Sequence, residues 1–552
     1  MSSSYPVPAA AVSVSAGMIV AVPRGLLASP LRSGRDLGEA DRSALVIGGT
    51  EKIGTRGDVV FLKVVAVAEA QVKRDGQVRA AGSPVHHATL GALEAKAGQG
   101  AVSGIAERSP LAARFVKGER ERLLARAFMI RVLVLMTLMP QARIGDVIAE
   151  LAGDLALVPW ARPWRPASAR AGGDWRNALG PVPLEELRDL VLGSAWREHQ
   201  GRGCPGAVTI GTRRPLRAGA LDGTLLRVPD TPANRAFFGS TGTGDDTSPF
   251  PQARALPVTC CSCRALFAMP HGPAGTGKPA AGQGLLDEVM ACFPALLDPG
   301  WIWLMDRNYH GAPRIARMIR STHVLIRLKS DIPLKRTSEI LPDGSYRAEL
   351  SGDGVTVPVR VIEYHVEVEG QEVPEMFCLV TDLMDWEDYP GPELAALYRW
   401  RWDGSETALR EAKAPLRGAG PGTGPMLRSC SPVLVRQEIA AWAAGTGMTR
   451  AVVLDAALAA APARKGRRAA LAVRPRDLSF ARALRAVLSA IRLGHASYQA
   501  VTSEIAGHRN VVDRGRHRAR KSKSPSSFPH ASVNDSATRV APAIITMANT
   551  PA

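Results

Sequence analysis

The sequence predicts an α/β core built on a mixed sheet, preceded by a small helical domain and interrupted by a β-rich segment. Three observations predict it. From residue 219 onward the apolar pattern alternates: GALDGTLLRVPD, ARALPVTCC and CRALFAM read as strands, GLLDEVMACFPALL as a helix, WIWLMD as a fully apolar strand, HGAPRIARMIRST as a helix and HVLIRLKS as a strand. That order, β-β-β-α-β-α-β, is the mark of a layered α/β unit. Residues 331–384 contain YRAELSG, VTVPVRVIEYHVEVEG and EMFCLVTDL, separated by Asp-Gly and Glu-Gly turn signals, and read as further strands outside the alternation. Between 119 and 194, ERERLLARAFMIRVLVLMTLM, ARIGDVIAELAGDLA and PLEELRDLVLGSAW place apolar residues three and four apart, the helical period.

A chain of 552 residues exceeds one compact core and divides into roughly two to four domains. Its 69 Lys and Arg against 51 Asp and Glu give a net charge of +18. That balance points to a polyanionic partner, most simply nucleic acid. Seven cysteines, at 204, 260, 261, 263, 292, 378 and 430, suggest reduced thiols in a cytosolic compartment and no disulfide framework. The apolar opening lacks the basic flank of a signal peptide. The run at 123–139 is interrupted by Arg126 and Arg131 and reads as a buried helix, so no membrane segment is expected. Residues 1–105 show little sustained periodicity; they stay unassigned, with a composition that suits poor order.

Two segments suit phosphate contact. In VPWARPWRPASARAGGDWRNALG, Trp160, Trp164 and Trp175 alternate with Arg162, Arg165, Arg170 and Arg176, which can stack on bases and neutralise phosphates; the alternative is a loop whose tryptophans pack on the helices. The run at 508–523 carries Arg514, Arg516, Arg518, Arg520 and Lys521, for nonspecific phosphate binding or a solvated arm. Two other patterns are weaker. Gly272 to Lys278 has phosphate-loop spacing, but Pro279 stands where Ser or Thr would hold Mg²⁺, so no nucleotide cofactor is expected. Cys260, Cys261 and Cys263 with His271 match no common zinc spacing and read as buried thiols.

Two aspartates fall where an α/β fold places chemistry. Asp222 lies in the first strand, in LDGT, and Asp306 ends WIWLMD; neither has a basic partner in its own strand. A divalent cation relieves such buried charge, and oxygen ligands favour Mg²⁺ or Mn²⁺. The alternatives are a turn at Asp222-Gly223 and a cap or an Arg307 pair at Asp306. For Glu406 they are a capping box with Asp403 and an ion pair with Arg410.

LDGTLLRVPDTPANRAFFG, LMDRNYHG and YRWRWDGSETALREAKAPLRG, in that order, resemble the three motifs of bacterial DDE transposases of the insertion-sequence-four group. The resemblance covers about 120 to 525. It implies a ribonuclease-H-like mixed sheet with helices on both faces over 215–450, carrying the β-rich insertion at 331–384. Apart from the resemblance, the helical period marks an N-terminal helical domain over 106–200, and composition marks a helical and basic region over 451–525 and a flexible tail over 526–552. By matching position, Asp222, Asp306 and Glu406 become a metal-binding catalytic triad for two Mg²⁺ or Mn²⁺ ions, and Tyr398, Arg401 and Lys413 support the site and contact DNA. The implied partners are transposon ends and target DNA, held by a homodimer in the bacterial cytoplasm at the nucleoid. The rivals are an inactive DNA-binding remnant and a nuclease without strand transfer.

One spacing departs from the family: four residues, not three, separate Arg401 from Glu406, and the family spacing lands on Ser405. On an unbroken α-helix a five-residue step turns a side chain away by about 140°. Gly404 is expected to absorb the surplus as a kink.

Overall fold

The computed structural model describes residues 19–23, 47–56, 59–66, 93–98, 100–108, 126–152, 168–242, 247–275, 282–293, 297–329, 331–367, 375–416, 426–460, 473–493, 497–508 and 544–547. The chain divides into two units, 1–85 and 86–552. In the first, strands β1 (Ile19–Pro23), β2 (Ile47–Arg56) and β3 (Val59–Ala66) form an antiparallel sheet with β3 in the middle. This is ordered pairing within the segment that composition left unassigned.

The second unit opens with helices, among them α1 (Arg126–Leu138), α2 (Ile144–Ala152), α3 (Ala169–Leu179) and α4 (Val182–Arg202). Helix α1 is the run that hydropathy could mistake for a span. It is buried on most of its surface, and Arg131 bonds Glu94 at 2.9 Å. Among the described residues no helix is long and apolar enough to cross a membrane.

Next come β4 (Thr209–Ile210), β5 (Leu216–Leu221), β6 (Thr224–Arg227), β7 (Gln252–Ala255), β8 (Val258–Cys260), β9 (Leu266–Ala268) and β10 (His271–Pro273). They are followed by α5 (Gly282–Cys292), β11 (Trp301–Met305), α6 (Ala312–Met318) and β12 (His323–Arg327). Strands β13 (Leu334–Arg336), β14 (Tyr346–Gly352), β15 (Val355–Glu367) and β16 (Glu375–Thr381) complete the β-rich segment. Helix α7 (Gly391–Tyr398), a π-helical turn at Trp402–Thr407, α8 (Ala408–Lys413), α9 (Pro432–Ala459), α10 (Phe480–Leu493), α11 (Tyr498–Gly507) and strand β17 (Ile544–Met547) end the described chain.

The main sheet has 11 strands, ordered β13-β14-β15-β16-β12-β11-β5-β8-β9, with β4 on β5 and β17 on β15. Its centre is parallel: β11 runs parallel to both β5 and β12, while β5, β8 and β9 are antiparallel neighbours. A mixed sheet of this order is compatible with a ribonuclease-H-like fold. Side chains alternate along each strand. Trp301, Trp303 and Met305 therefore face one layer with Trp196 of α4, Leu285 of α5 and Ile315 of α6, while Ile302 and Leu304 face Leu394 and Leu397 of α7. Helices cover both faces.

Three differences from the sequence reading follow from long-range pairing. The 331–384 strands continue the main sheet, because β16 pairs antiparallel with β12 and occupies its edge. The first strand stops at Leu221; Asp222 and Gly223 form the corner, and β6 passes into a separate sheet with β7 and β10. The expected flexible tail contains β17, which pairs Ile544 with Glu367 and Met547 with Tyr364. The helical layer is also composite. Helices α1 and α4 share one apolar core with α9, which runs through the boundary drawn at 450 and brings C-terminal helices onto N-terminal ones.

Candidate active site

Adjacent parallel strands bring the two aspartates together. Met305 of β11 is the register partner of Leu221 of β5, and the next residues are Asp306 and Asp222. Both carboxylates therefore leave the C-terminal edge of the sheet side by side, with neighbouring strands about 4.8 Å apart. Each is held differently. Asp222 accepts a bond from Arg401 Nη1 at 2.8 Å on Oδ2, and the Ser405 hydroxyl lies 3.1 Å from the same oxygen. Asp222 Oδ1 carries no hydrogen bond among the described residues. Asp306 is pinned by Asn308, whose backbone N–H reaches Oδ1 at 2.8 Å and whose amide reaches Oδ2 at 2.9 Å.

Burial pushes the Asp222 carboxyl above its ordinary range; Arg401 opposes that shift and the neighbouring Asp306 charge adds to it. The two carboxylates offer oxygen donors, the type a hard divalent cation takes, but among the described residues Asp222, Asp306 and Glu406 do not gather into one group of three ligand atoms. Tyr309 is buried behind them, and its phenol is pushed upward by burial and by both aspartates. Gly223 makes that approach possible: a Cβ there would lie 2.8 Å from the Tyr309 hydroxyl.

The Tyr-Arg-Lys part of the third motif converges on this edge. The Tyr398 hydroxyl donates to the carbonyl of Met305 at 3.0 Å, tying the end of α7 to the residue before Asp306. Burial raises the Tyr398 phenol to about 12, so it stays protonated as a donor. Burial opposes the Arg401 charge, but Tyr398, Asp222 and Asp306 outweigh it and raise its pKa. Burial holds the Lys413 pKa below its ordinary value, and Asp222 and Glu406 offset that shift only in part. Lys413 thus senses both carboxylates.

The surplus residue sits in the π-helical turn Trp402–Thr407, where the helix hydrogen-bonds five residues ahead instead of four. Arg401 and Glu406, five apart, span one such turn. Gly404 lies inside it and packs on the β8–β9 hairpin; a Cβ there would meet Cys261 Sγ at 2.7 Å and Cys261 Cα at 2.8 Å. Ser405 is fully buried, 2.6 Å from the Arg401 carbonyl as well as near Asp222. Glu406 is exposed. The other glutamate of the motif, Glu411, is held by Arg264 at 3.2 Å and by buried Arg450, which excludes it as a free ligand. Asp403, which the alternative reading of Glu406 places in a capping box, pairs with Arg264 at 2.5 Å.

Some expected contacts are not made. Trp175 is 1% exposed within the α1–α9 core, and Arg176 bonds Gln437 at 2.7 Å, so neither faces DNA. The second half of that basic-aromatic segment forms helix α3, which buries Trp175 and leaves Arg170 exposed. Trp160, Arg162, Trp164 and Arg165 lie outside the described residues, as do Arg514, Arg516, Arg518, Arg520 and Lys521. His271 lies 3.2 Å from Arg188 rather than beside the cysteines. The phosphate-loop pattern is described only to Gly275. Sequence reasoning missed Asn308, Tyr309 and Arg264, and reached Ser405 only as the family-spaced position. The first two adjoin Asp306 in DRNY; Arg264, from a distant hairpin, had no local signal.

No protein-family profile matches the sequence, and no curated protein matches it. Among solved structures the chain is similar to the piggyBac transposase in a synaptic complex with hairpin DNA, with a TM-score of 0.38 and 12% identity over 76% of this chain and 81% of that one. That likeness is too low to carry residue roles across.

Proposed function

We propose that this chain is a DNA transposase that binds its element's inverted ends, cleaves phosphodiester bonds with divalent metal and transfers the 3′ ends to target DNA. The observation that carries this reading is the placement of Asp222 and Asp306 at the ends of adjacent parallel strands, with Arg401 of the third motif on Asp222. Asp222, Asp306 and Glu406 would hold two Mg²⁺ or Mn²⁺ ions, which supply activation of the attacking oxygen and charge stabilisation of the leaving one. Arg401 fixes the rotamer of Asp222, and Asn308 fixes that of Asp306. Tyr398 holds the motif helix against β11. Lys413, within electrostatic reach of Asp222 and Glu406, would offer positive charge to the scissile phosphate. The +18 net charge suits a polyanionic substrate. A homodimer holding both ends, working at the bacterial nucleoid, completes the reading.

A second reading, a DNA-binding remnant that no longer cuts, is favoured by one observation: Ser405 fills the family-spaced position and already touches Asp222. Supercoiled plasmid carrying the element's ends, incubated with protein and Mg²⁺, separates the readings. Joined products are expected, reduced roughly a thousandfold or more in Asp222→Asn and Asp306→Asn while the gel shift persists. Cuts without joining would indicate a nuclease, and a shift with neither would indicate the remnant. Undiminished cleavage by both variants would remove the site assignment.

A further inference from the structure

We propose that His199, Cys204, Cys260 and Cys263 bind a structural zinc ion. The four side chains come from two places, the end of α4 and the β8–β9 hairpin, and their ligand atoms all lie within 4.8 Å of one another. A tetrahedral zinc with Zn–S bonds near 2.3 Å needs ligand atoms about 3.7 Å apart, so the set matches one ion rather than a multinuclear cluster.

Three details distinguish this cluster from thiols that merely share a core. The Cys260–Cys263 turn aims backbone donors at sulfur: Ser262 N–H points to Cys260 Sγ and Ala265 N–H to Cys263 Sγ, each at 3.4 Å. Such bonds stabilise thiolates, the form a metal binds. Arg264, directly after Cys263, is held at φ +61°, a left-handed conformation that a non-glycine residue adopts only where the turn requires it. The histidine is oriented as well. His199 Nδ1–H donates to the carbonyl of Ala195 at 2.9 Å, which leaves the Nε2 lone pair toward sulfur, 2.8 Å from Cys263 Sγ. Cys261, in the same turn, faces the opposite layer and belongs to no part of the set.

Three sulfurs and one imidazole in a buried, closed arrangement are the donors of a structural zinc site, with no position left open for substrate. The ion would clamp the helical layer to the sheet, and its influence reaches the motif helix. Arg264 leaves the turn to bond the Asp403 carbonyl at 3.2 Å and its carboxylate at 2.5 Å, holding the π-helical turn that presents Ser405 and Glu406. The inference does not depend on the DNA-cutting reading.

Metal analysis of the full chain purified without chelators tests it. One zinc per chain is expected, and protein produced with Co²⁺ should show the intense visible bands of a tetrahedral thiolate site. A strong chelator should lower the melting temperature of the wild type. Cys204→Ser and Cys263→Ser should lose the zinc, while Cys430→Ser, at an exposed thiol outside the cluster, should keep it. Metal-free wild type whose melting ignores chelator would overturn the proposal. So would bound iron, or a disulfide joining two of the four residues.

Discussion

Strand β5 serves two sites of opposite chemistry. Asp222 leaves its C-terminal end beside Asp306, in an oxygen-rich and partly exposed corner, whereas Gly219, further back, pairs with Cys260 of the sulfur-rich and buried hairpin. The carboxylate end keeps a partly buried charge whose pKa burial raises, a feature that helps a reaction and opposes folding. At the cysteine end Cys204, Cys260, Cys263 and one nitrogen of His199 converge on one another, which favours shape over reactivity. One strand thus carries a site that costs stability next to one suited to supplying it.

The contrast is sharpest if cleavage and stability separate between the two ends. Asp222→Asn should abolish cleavage yet melt higher than wild type in Mg²⁺-free buffer near neutral pH. Burial raises the Asp222 pKa, so its charge opposes folding; that cost is absent below the unfolded carboxylate pKa and develops as pH rises through the folded value. The advantage of the variant should therefore vanish near about pH 4, and Mg²⁺ should restore wild-type melting more than that of the variant. Calorimetry at two pH values checks both statements, and a variant that melts lower would break the comparison.

A smaller effect tests the link between the ends. Gly404→Ala forces a methyl group into the backbone of Cys261, so a loss of about 1–3 kcal/mol is expected by denaturant unfolding. Cleavage should fall further than this stability loss explains, because the π-helical turn must shift. The smallest effect lies far from both ends. Asp388 accepts bonds from the backbone N–H groups of Arg213, Thr212 and Arg214, chiefly Arg213, and its pKa is held at about 2. That stabilisation is full above the unfolded carboxylate pKa and lost as pH falls toward 2. Asp388→Asn should thus melt lower at neutral pH, with the gap closing in acid and cleavage unchanged.

What the sequence revealed depended on the range of the interactions. The Asp353-Gly354 hairpin was legible because both residues take positive φ in a two-residue turn, a local rule that Asp-Gly satisfies. The place of Asp306 at the end of a strand was legible because an apolar strand ending in a carboxylate is itself a local pattern. The position of Asp222 was misjudged by a residue or so, since only the pairing of β5 with β11 shows where that strand ends. The π-helical turn could be suspected from spacing alone, but its shape depends on Cys261 of a distant hairpin. The cysteine cluster was not legible because its halves, His199 with Cys204 and Cys260 with Cys263, meet only through the packing of α4 on β9, while His271, nearer in sequence, lies beside Arg188.

Glu406 decides the account. Its exposed carboxylate sits one π-turn beyond Arg401, next to a serine that already occupies Asp222. Plasmid cleavage by Glu406→Gln, measured beside Asp306→Asn and with DNA binding recorded in the same samples, is the most direct test. The account predicts that both variants bind the ends as wild type does and that Glu406→Gln cuts no better than Asp306→Asn. Wild-type cutting by Glu406→Gln would contradict it and leave the two aspartates without their third partner.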